Sequence, residues 1–353
     1  MTNQQWEIMK KAARCEKLDN IPVGMIVDSP WTPGYCGVST IDYYTDMGIW
    51  LKCQEKIKAD FPEVIYAPDY WVEFGMAAES VAFGCRANFY DYQPATIQHL
   101  IDDVDDVENL VLPDPNPESD GLMPLAINYY KRVEKALKGT PEGIKMVAAR
   151  GPLNIASFLL SVPEFCMAIK LYPDETHEIL KKTTKLVIKW LKAQMNALGD
   201  SNIEGILVLD DICGFLSEED YLEFAHPYLK EIFSSFDVPV KMFHNDNFGN
   251  NYITFPYIAD LGINMFNFSF SADIVKAREC LGDKVCIFGN VPPRDILTYG
   301  TPQDIIKVTK ETLDKYGSKE GIIISAGGGA SPGMSKDNFR AFIDAVSEWN
   351  ASH

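Results

Sequence analysis

The chain has 353 residues, 46% hydrophobic and 23% charged, which provides for a large core and argues against a disordered or solvating protein. Its net charge of −18, with only seven arginines, argues against phosphate-rich partners such as nucleic acid and against anionic membrane surfaces. The longest apolar runs are too short to cross a bilayer, the first residues (Met1-Thr2-Asn3-Gln4) carry no leader, and the eight cysteines form no CxxC pair, so a cytoplasmic protein with reduced thiols is expected.

In chain order, an N-terminal extension precedes a first strand candidate at Ile21-Pro22-Val23-Gly24-Met25-Ile26. Residues 28–79 are rich in Pro, Gly, Tyr and Trp and are expected to form one long loop, the kind that serves as a lid or binding element. A second strand is placed near Ser80-Val81-Ala82-Phe83. From residue 144 the pattern becomes regular. Apolar runs at Ile144–Ala149, Ile206–Leu209, Val240–Phe243, Ile263–Phe266, Val285–Phe288 and Ile322–Ser325 alternate with helical stretches. Those stretches are Asp174–Leu198, Glu218–Ser235, Ala272–Leu281, Pro302–Tyr316 and Lys336–Trp349.

Near-continuous apolar strands separated by helices indicate a parallel sheet covered on both faces. Six such units without a GxGxxG turn, with the two N-terminal strand candidates making eight, favour a closed α/β barrel, the (β/α)8 or TIM architecture, with residues 1–353 as one domain.

In such a barrel the chemistry sits at the carboxyl ends of the strands. The residues there are Asp210 and Asp211; His244, Asn245, Asp246 and Asn247; Asn267; Asn290; and Ser325 with Gly327-Gly328-Gly329. A single strand-end Asp or Asn is commonly a helix cap. Their recurrence at nearly every strand describes a mouth of hydrogen-bonding groups suited to a neutral heterocycle with amide-like edges. His244 alone among the five histidines falls at a strand end, where it serves either as a metal ligand or as a hydrogen-bonding group. The glycine run serves an anion, a flat ligand or a tight turn equally well.

Arg150-Gly151-Pro152-Leu153-Asn154, Leu209-Asp210-Asp211, His226-Pro227-Tyr228, Phe243-His244-Asn245-Asp246, Phe288-Gly289-Asn290-Val291-Pro292 and Ser325-Ala326-Gly327-Gly328-Gly329 follow one another in this order. Together they resemble the uroporphyrinogen decarboxylase superfamily, which includes the cobamide-dependent methyltransferases, over roughly residues 140 to 350. The decarboxylases it resembles bind a polycarboxylate macrocycle with an arginine-rich first-strand loop. This chain has no arginine between Arg14 and Arg86 and reads Val27-Asp28-Ser29-Pro30-Trp31 there. The zinc-dependent thiol methyltransferases carry His-x-Cys and a later Cys, whereas here the segment is His244-Asn245-Asp246 and no cysteine follows Cys286.

The branch that remains implies methyl transfer between a methylated corrinoid protein and N5 of tetrahydrofolate, with no metal expected. His244, Asp246 and Asn267 are then the catalytic candidates. Asp210, Asp211, Asn247, Asn290, Ser325, Gly327 and Gly328 become the substrate-binding candidates. Methylcobalamin would arrive on the corrinoid-carrying partner, and the aromatics of the long loop (Trp31, Tyr35, Tyr43, Tyr44, Trp50, Tyr66, Tyr70, Trp71) would form its docking rim. A homodimer is the oligomer the resemblance allows. The alternatives are a zinc-dependent thiol methyltransferase using His244, Asp246 and a further carboxylate, and a decarboxylase.

Overall fold

The computed structural model describes residues 1–199, 203–249 and 251–353. Its strands are β1 (Gly24–Met25), β2 (Ile65–Tyr66), β3 (Arg86–Asn88), β4 (Thr96–Gln98), β5 (Met146–Arg150), β6 (Gly205–Leu209), β7 (Val240–Asn245), β8 (Met265–Phe268), β9 (Cys286–Phe288) and β10 (Ile322–Ile323). From β5 to β10 each strand pairs in parallel with the next in sequence, as expected of βα units. β1 and β2 pair in parallel, and a parallel bridge between Val23 and Ile324 joins them to β10. This is a (β/α)8 barrel, with β3 and β4 forming an antiparallel hairpin outside it.

Between β2 and β5 side chains replace the backbone ladder. The amide of Val72 donates to Tyr130 Oη at 3.2 Å, and the amide of Arg150 donates to Glu79 Oε1 at 3.0 Å. A buried amide at an open edge needs such an acceptor.

The apolar core has two parts. Residues such as Val147, Ala149, Ile206, Val208, Phe243 and Phe266 point outward under the helices. Met146, Ala148, Leu207, Leu209, Met242, Met265, Cys286, Phe288 and Ile323 fill the barrel interior. The N-terminal extension folds as helix Asn3–Ala13, started by a Thr2–Gln5 capping box, and its Trp6, Met9, Ala12 and Ala13 join the interior cluster.

Two expectations are corrected. The segment at Ser80–Phe83 is helical, an α-turn Ala77–Ser80 running into a 3₁₀ turn Val81–Phe83, and the second barrel strand is Ile65–Tyr66. Two residues buried on both faces suffice for that strand because β1 supplies its register, Gly24 against Ile65 and Met25 against Tyr66. Nor is 28–79 a structureless loop. It holds helices Thr32–Cys36, Thr40–Thr45 and Met47–Asp60 besides β2.

The aromatics of that segment are therefore core rather than rim. Trp31, Tyr43, Tyr44, Trp50, Tyr66, Tyr70 and Trp71 are buried and Tyr35 is packed against them. Trp31 stacks on Tyr35 at 4.5 Å and donates to the Met334 carbonyl at 2.9 Å. The helices at Asp174–Leu198 and Pro302–Tyr316 form as expected, the first beginning one residue earlier. The run expected at Glu218–Ser235 is helical but holds a π turn at Tyr221–Ala225 ahead of Pro227. Among the described residues no single helix is long and apolar enough to cross a membrane.

Candidate active site

Side chains along a strand alternate between faces, so the interior cluster fixes which strand-end residues look into the mouth. Ala148, Leu207, Met242 and Met265 point inward. Two residues further on, Arg150, Leu209, His244 and Asn267 point the same way, and they are consecutive register partners across β5 to β8. A polar layer thus rests directly on an apolar one. The next step along each strand brings in Asp211, Asp246 and Ser325, and Asp28 follows the inward-pointing Ile26.

The centre of this layer is His244, buried, with Nδ1 2.6 Å from Oδ1 of Asn267. Asn267 is wholly buried, and its Nδ2 donates to the carbonyls of Phe288 (2.5 Å) and Ala326 (2.9 Å). Two carbonyl acceptors fix the amide orientation, so Oδ1 must accept from His244. Nδ1 of His244 therefore carries a proton, and in the neutral ring the lone pair is on Nε2. That nitrogen lies 3.5 Å from Oδ1 of Asp211, an oxygen that accepts from the amide of Asp246 at 3.1 Å.

Ligand atoms of Asp211, His244 and Asp246 all lie within 4.8 Å of one another. Two carboxylate oxygens and an imidazole nitrogen with a free lone pair form a donor set that fits a divalent cation such as zinc. The absence of sulfur alone therefore does not remove the metal alternative. Asp246 is exposed at the rim of the mouth, and partial desolvation there raises its carboxyl above the usual range, with His244 opposing the rise and Asp211 adding to it.

The other nominated residues divide by what they already hold. Asp210 is one residue out of step with the inward face and wholly buried. Its carboxylate accepts from the amides of Leu153 (2.8 Å) and Asn154 (3.1 Å), capping helix Pro152–Leu160. Burial pushes its carboxyl well above the usual range, against the pull of those amides. Gly151 is required beside it, since a Cβ there would sit 2.3 Å from Asp210 Oδ2.

Asn247 accepts from Gly249 at 2.9 Å within its own loop, and Asn290 donates to the carbonyls of Ser269 (3.1 Å) and Ala272 (2.8 Å). Ser325 is wholly buried and its hydroxyl has no partner among the described residues. The glycine run lets three loops meet over the mouth. A Cβ on Gly327 would stand 2.4 Å from the Phe270 amide, and Gly328 (φ +128°) brings its backbone against Asp246.

Asp28, Glu73, Trp71 and Arg150 complete the mouth; Trp71 was expected only as part of the docking rim, and the other three were not among the residues nominated from sequence. Glu73 is buried and accepts from Ser29 N (2.9 Å), Ser29 Oγ (3.2 Å) and Gly75 N (2.6 Å). Enclosure and then the neighbouring Glu73 carboxylate lift Asp28 to about 7, with Arg150 and His244 opposing. The Arg150 guanidinium lies 5.4 Å from the Trp71 ring centroid. Asp28 and Arg150 were readable from the two-residue alternation along β1 and β5. Glu73, and the place of Trp71 at the mouth rather than on a rim, were not, because β2 was misplaced.

The model of the uroporphyrinogen decarboxylase (URO-D) family matches residues 62–349. The chain belongs to this family. Among curated relatives of this URO-D member, a protein named uroporphyrinogen decarboxylase from Psychromonas ingrahamii is 26% identical over 76% of this chain and 75% of its own. One of the same name from Chlorobium luteolum is 32% identical, with 51% of each chain covered, so this chain spans about half the length of that relative. Among solved structures, a methyltransferase from Methanosarcina mazei superposes with a TM-score of 0.80 at 19% identity, covering 97% of both chains. A B12-independent methionine synthase from Shewanella superposes at 0.52 and 11% identity, over 94% of this chain and 97% of its own. At these identities the two structures share the barrel fold with the URO-D member described here.

Proposed function

We propose that this URO-D family member transfers a methyl group between a methylated corrinoid protein and N5 of tetrahydrofolate. The observation that carries the reading is the His244–Asn267 contact at 2.6 Å, which leaves Nε2 of His244 as a proton acceptor facing the mouth. In the forward direction the N5 lone pair forms the bond to the methyl carbon, and the cobalt–carbon bond breaks with both its electrons left on cobalt. The N5 proton leaves, and Nε2 of His244, beside Asp211, is the acceptor for it. Catalysis is otherwise positioning, which supplies up to about 7–11 kcal/mol in favourable aligned systems.

The names of the relatives favour decarboxylation of a polycarboxylate macrocycle. The mouth opposes it. Asp28, Glu73, Asp211 and Asp246 gather there, and Arg150 is the one arginine among the inward strand-end residues. Bringing further carboxylates into such a site is costly.

A second reading rests on the Asp211, His244 and Asp246 cluster. If zinc were bound there, those three residues would hold it and it would supply Lewis acidity to lower the pKa of a thiol acceptor.

The test is spectroscopic. Methylcobalamin and tetrahydrofolate are mixed with protein treated with chelator, and conversion to the cob(I)alamin spectrum is followed. A rate proportional to protein and unaffected by chelation is expected. No conversion with tetrahydrofolate, together with chelator-sensitive conversion with 2-mercaptoethanesulfonate, overturns the pterin reading in favour of the metal one.

A further inference from the structure

Buried polar groups are normally matched, and the mouth can be sorted by which side chains the protein itself satisfies. Glu73 takes three donors, Asp210 holds helix amides, and Asn267 and Asn290 spend both amide hydrogens on carbonyls. Besides the neutral Ser325 hydroxyl, the charged groups Arg150 and Asp28 stand apart. Among the described residues neither side chain makes a hydrogen bond or an ion pair, although each lies within electrostatic reach of the other.

Both are aimed into the mouth by register, Arg150 two residues beyond Ala148 on β5 and Asp28 two beyond Ile26 on β1. Arg150 borders the gap where the backbone ladder between β2 and β5 is missing, Asp28 lies beyond β2 at the end of β1, and the Trp71 ring stands beneath the guanidinium. Arg150 offers a planar fork of donors and no acceptor, while an ionised Asp28 offers acceptors and no donor. A ligand that satisfies both presents an acceptor beside a donor on one edge. A carbonyl adjacent to a ring N–H, a lactam, has that pattern.

We propose that Arg150 and Asp28 form the recognition pair for the lactam edge of a heterocycle, Arg150 binding the carbonyl oxygen and Asp28 the neighbouring N–H. The inference rests on the pterin reading above and names the edge by which the pterin is held. Trp71 packs against the guanidinium and keeps its plane fixed. The opposite end of the ligand is thereby directed at His244.

The test compares two probes, tetrahydrofolate and a 2,4-diaminopteridine analogue in which an amino group replaces the carbonyl and the ring N–H is lost. Each is titrated calorimetrically into the parent chain, Arg150→Gln and Arg150→Lys, with thermal melting to verify folding. Loss of a charge-assisted contact predicts that Arg150→Gln binds tetrahydrofolate about 10- to 100-fold more weakly. Its affinity for the diamino analogue should stay within about threefold of the parent, and Arg150→Lys, keeping charge but not the fork, should fall between. Equal losses for both probes, or unchanged tetrahydrofolate binding in Arg150→Gln, overturn the recognition pair and leave the pterin reading standing. A parent chain that binds neither pteridine overturns both.

Discussion

Nδ1 of His244 lies 2.6 Å from Oδ1 of Asn267, an amide whose nitrogen is tied to the carbonyls of Phe288 and Ala326. Strands β8, β9 and the loop after β10 thus settle the protonation of a ring carried by β7. Asn267→Ala removes that control, and under the proposed function it is expected to lower methyl transfer by about 100-fold, the scale of general acid–base contributions. Nitrogen-15 NMR of the imidazole should show a proton on Nδ1 in the parent and a mixture of tautomers in the variant. A single Nδ1–H tautomer retained in Asn267→Ala would contradict this assignment.

Asp211 and Asp246 meet through the Asp246 amide, at 3.1 Å from Asp211 Oδ1, and share the face of His244 Nε2. If the mouth binds a pterin, Asp211→Asn and Asp246→Asn should each weaken tetrahydrofolate by about tenfold, the loss of one charged hydrogen bond. Titration calorimetry measures this, and unchanged affinity in both removes them from the binding surface.

Asp210 calls for a different outcome. Because its carboxylate caps helix Pro152–Leu160 from a fully buried position, Asp210→Ala is expected to destabilise the fold by about 1–2 kcal/mol. Gly151→Ala forces a Cβ to within 2.3 Å of that carboxylate and should cost about 1–3 kcal/mol. Denaturant melts of both variants test the assignment, and parent-like midpoints would refute it.

The Asp28 carboxyl is raised to about 7 by enclosure and by Glu73. A carboxyl whose folded pKa is raised binds more protons folded than unfolded. Its favourable contribution is present below the unfolded value near 4 and is lost as pH rises through 7. Asp28→Asn should therefore match the parent at pH 4 and melt above it at pH 8, by about 2 °C or more. Melting curves across this range check the sign, and a variant less stable than the parent at pH 8 contradicts it.

Trp31 tests the correction to the aromatic segment. Buried, stacked on Tyr35 and bonded to Met334, it should cost about 3–5 kcal/mol when replaced by Ala. Tyr92, exposed between β3 and β4, should cost almost nothing. Thermal melts distinguish them.

The sequence by itself determined the barrel, because six apolar runs between amphipathic helices are a local pattern with a single consistent packing. It also placed His244, Asn267, Asp211 and Asp246 at strand ends, since these follow directly on runs such as Val240–Phe243 and Leu207–Leu209. It did not reveal β2, since Ile65–Tyr66 is too short to show a period and exists through its pairing with β1. It did not separate Asp210 from Asp211, because adjacent residues of the same type differ in role only through which face of β6 looks inward. The tertiary structure decided that, and it set Arg150, Trp71 and Asp28 together from three distant segments. The physical reason is that strand register and the enclosure of a charge depend on neighbours brought together by closing the barrel, and no local pattern carries that information.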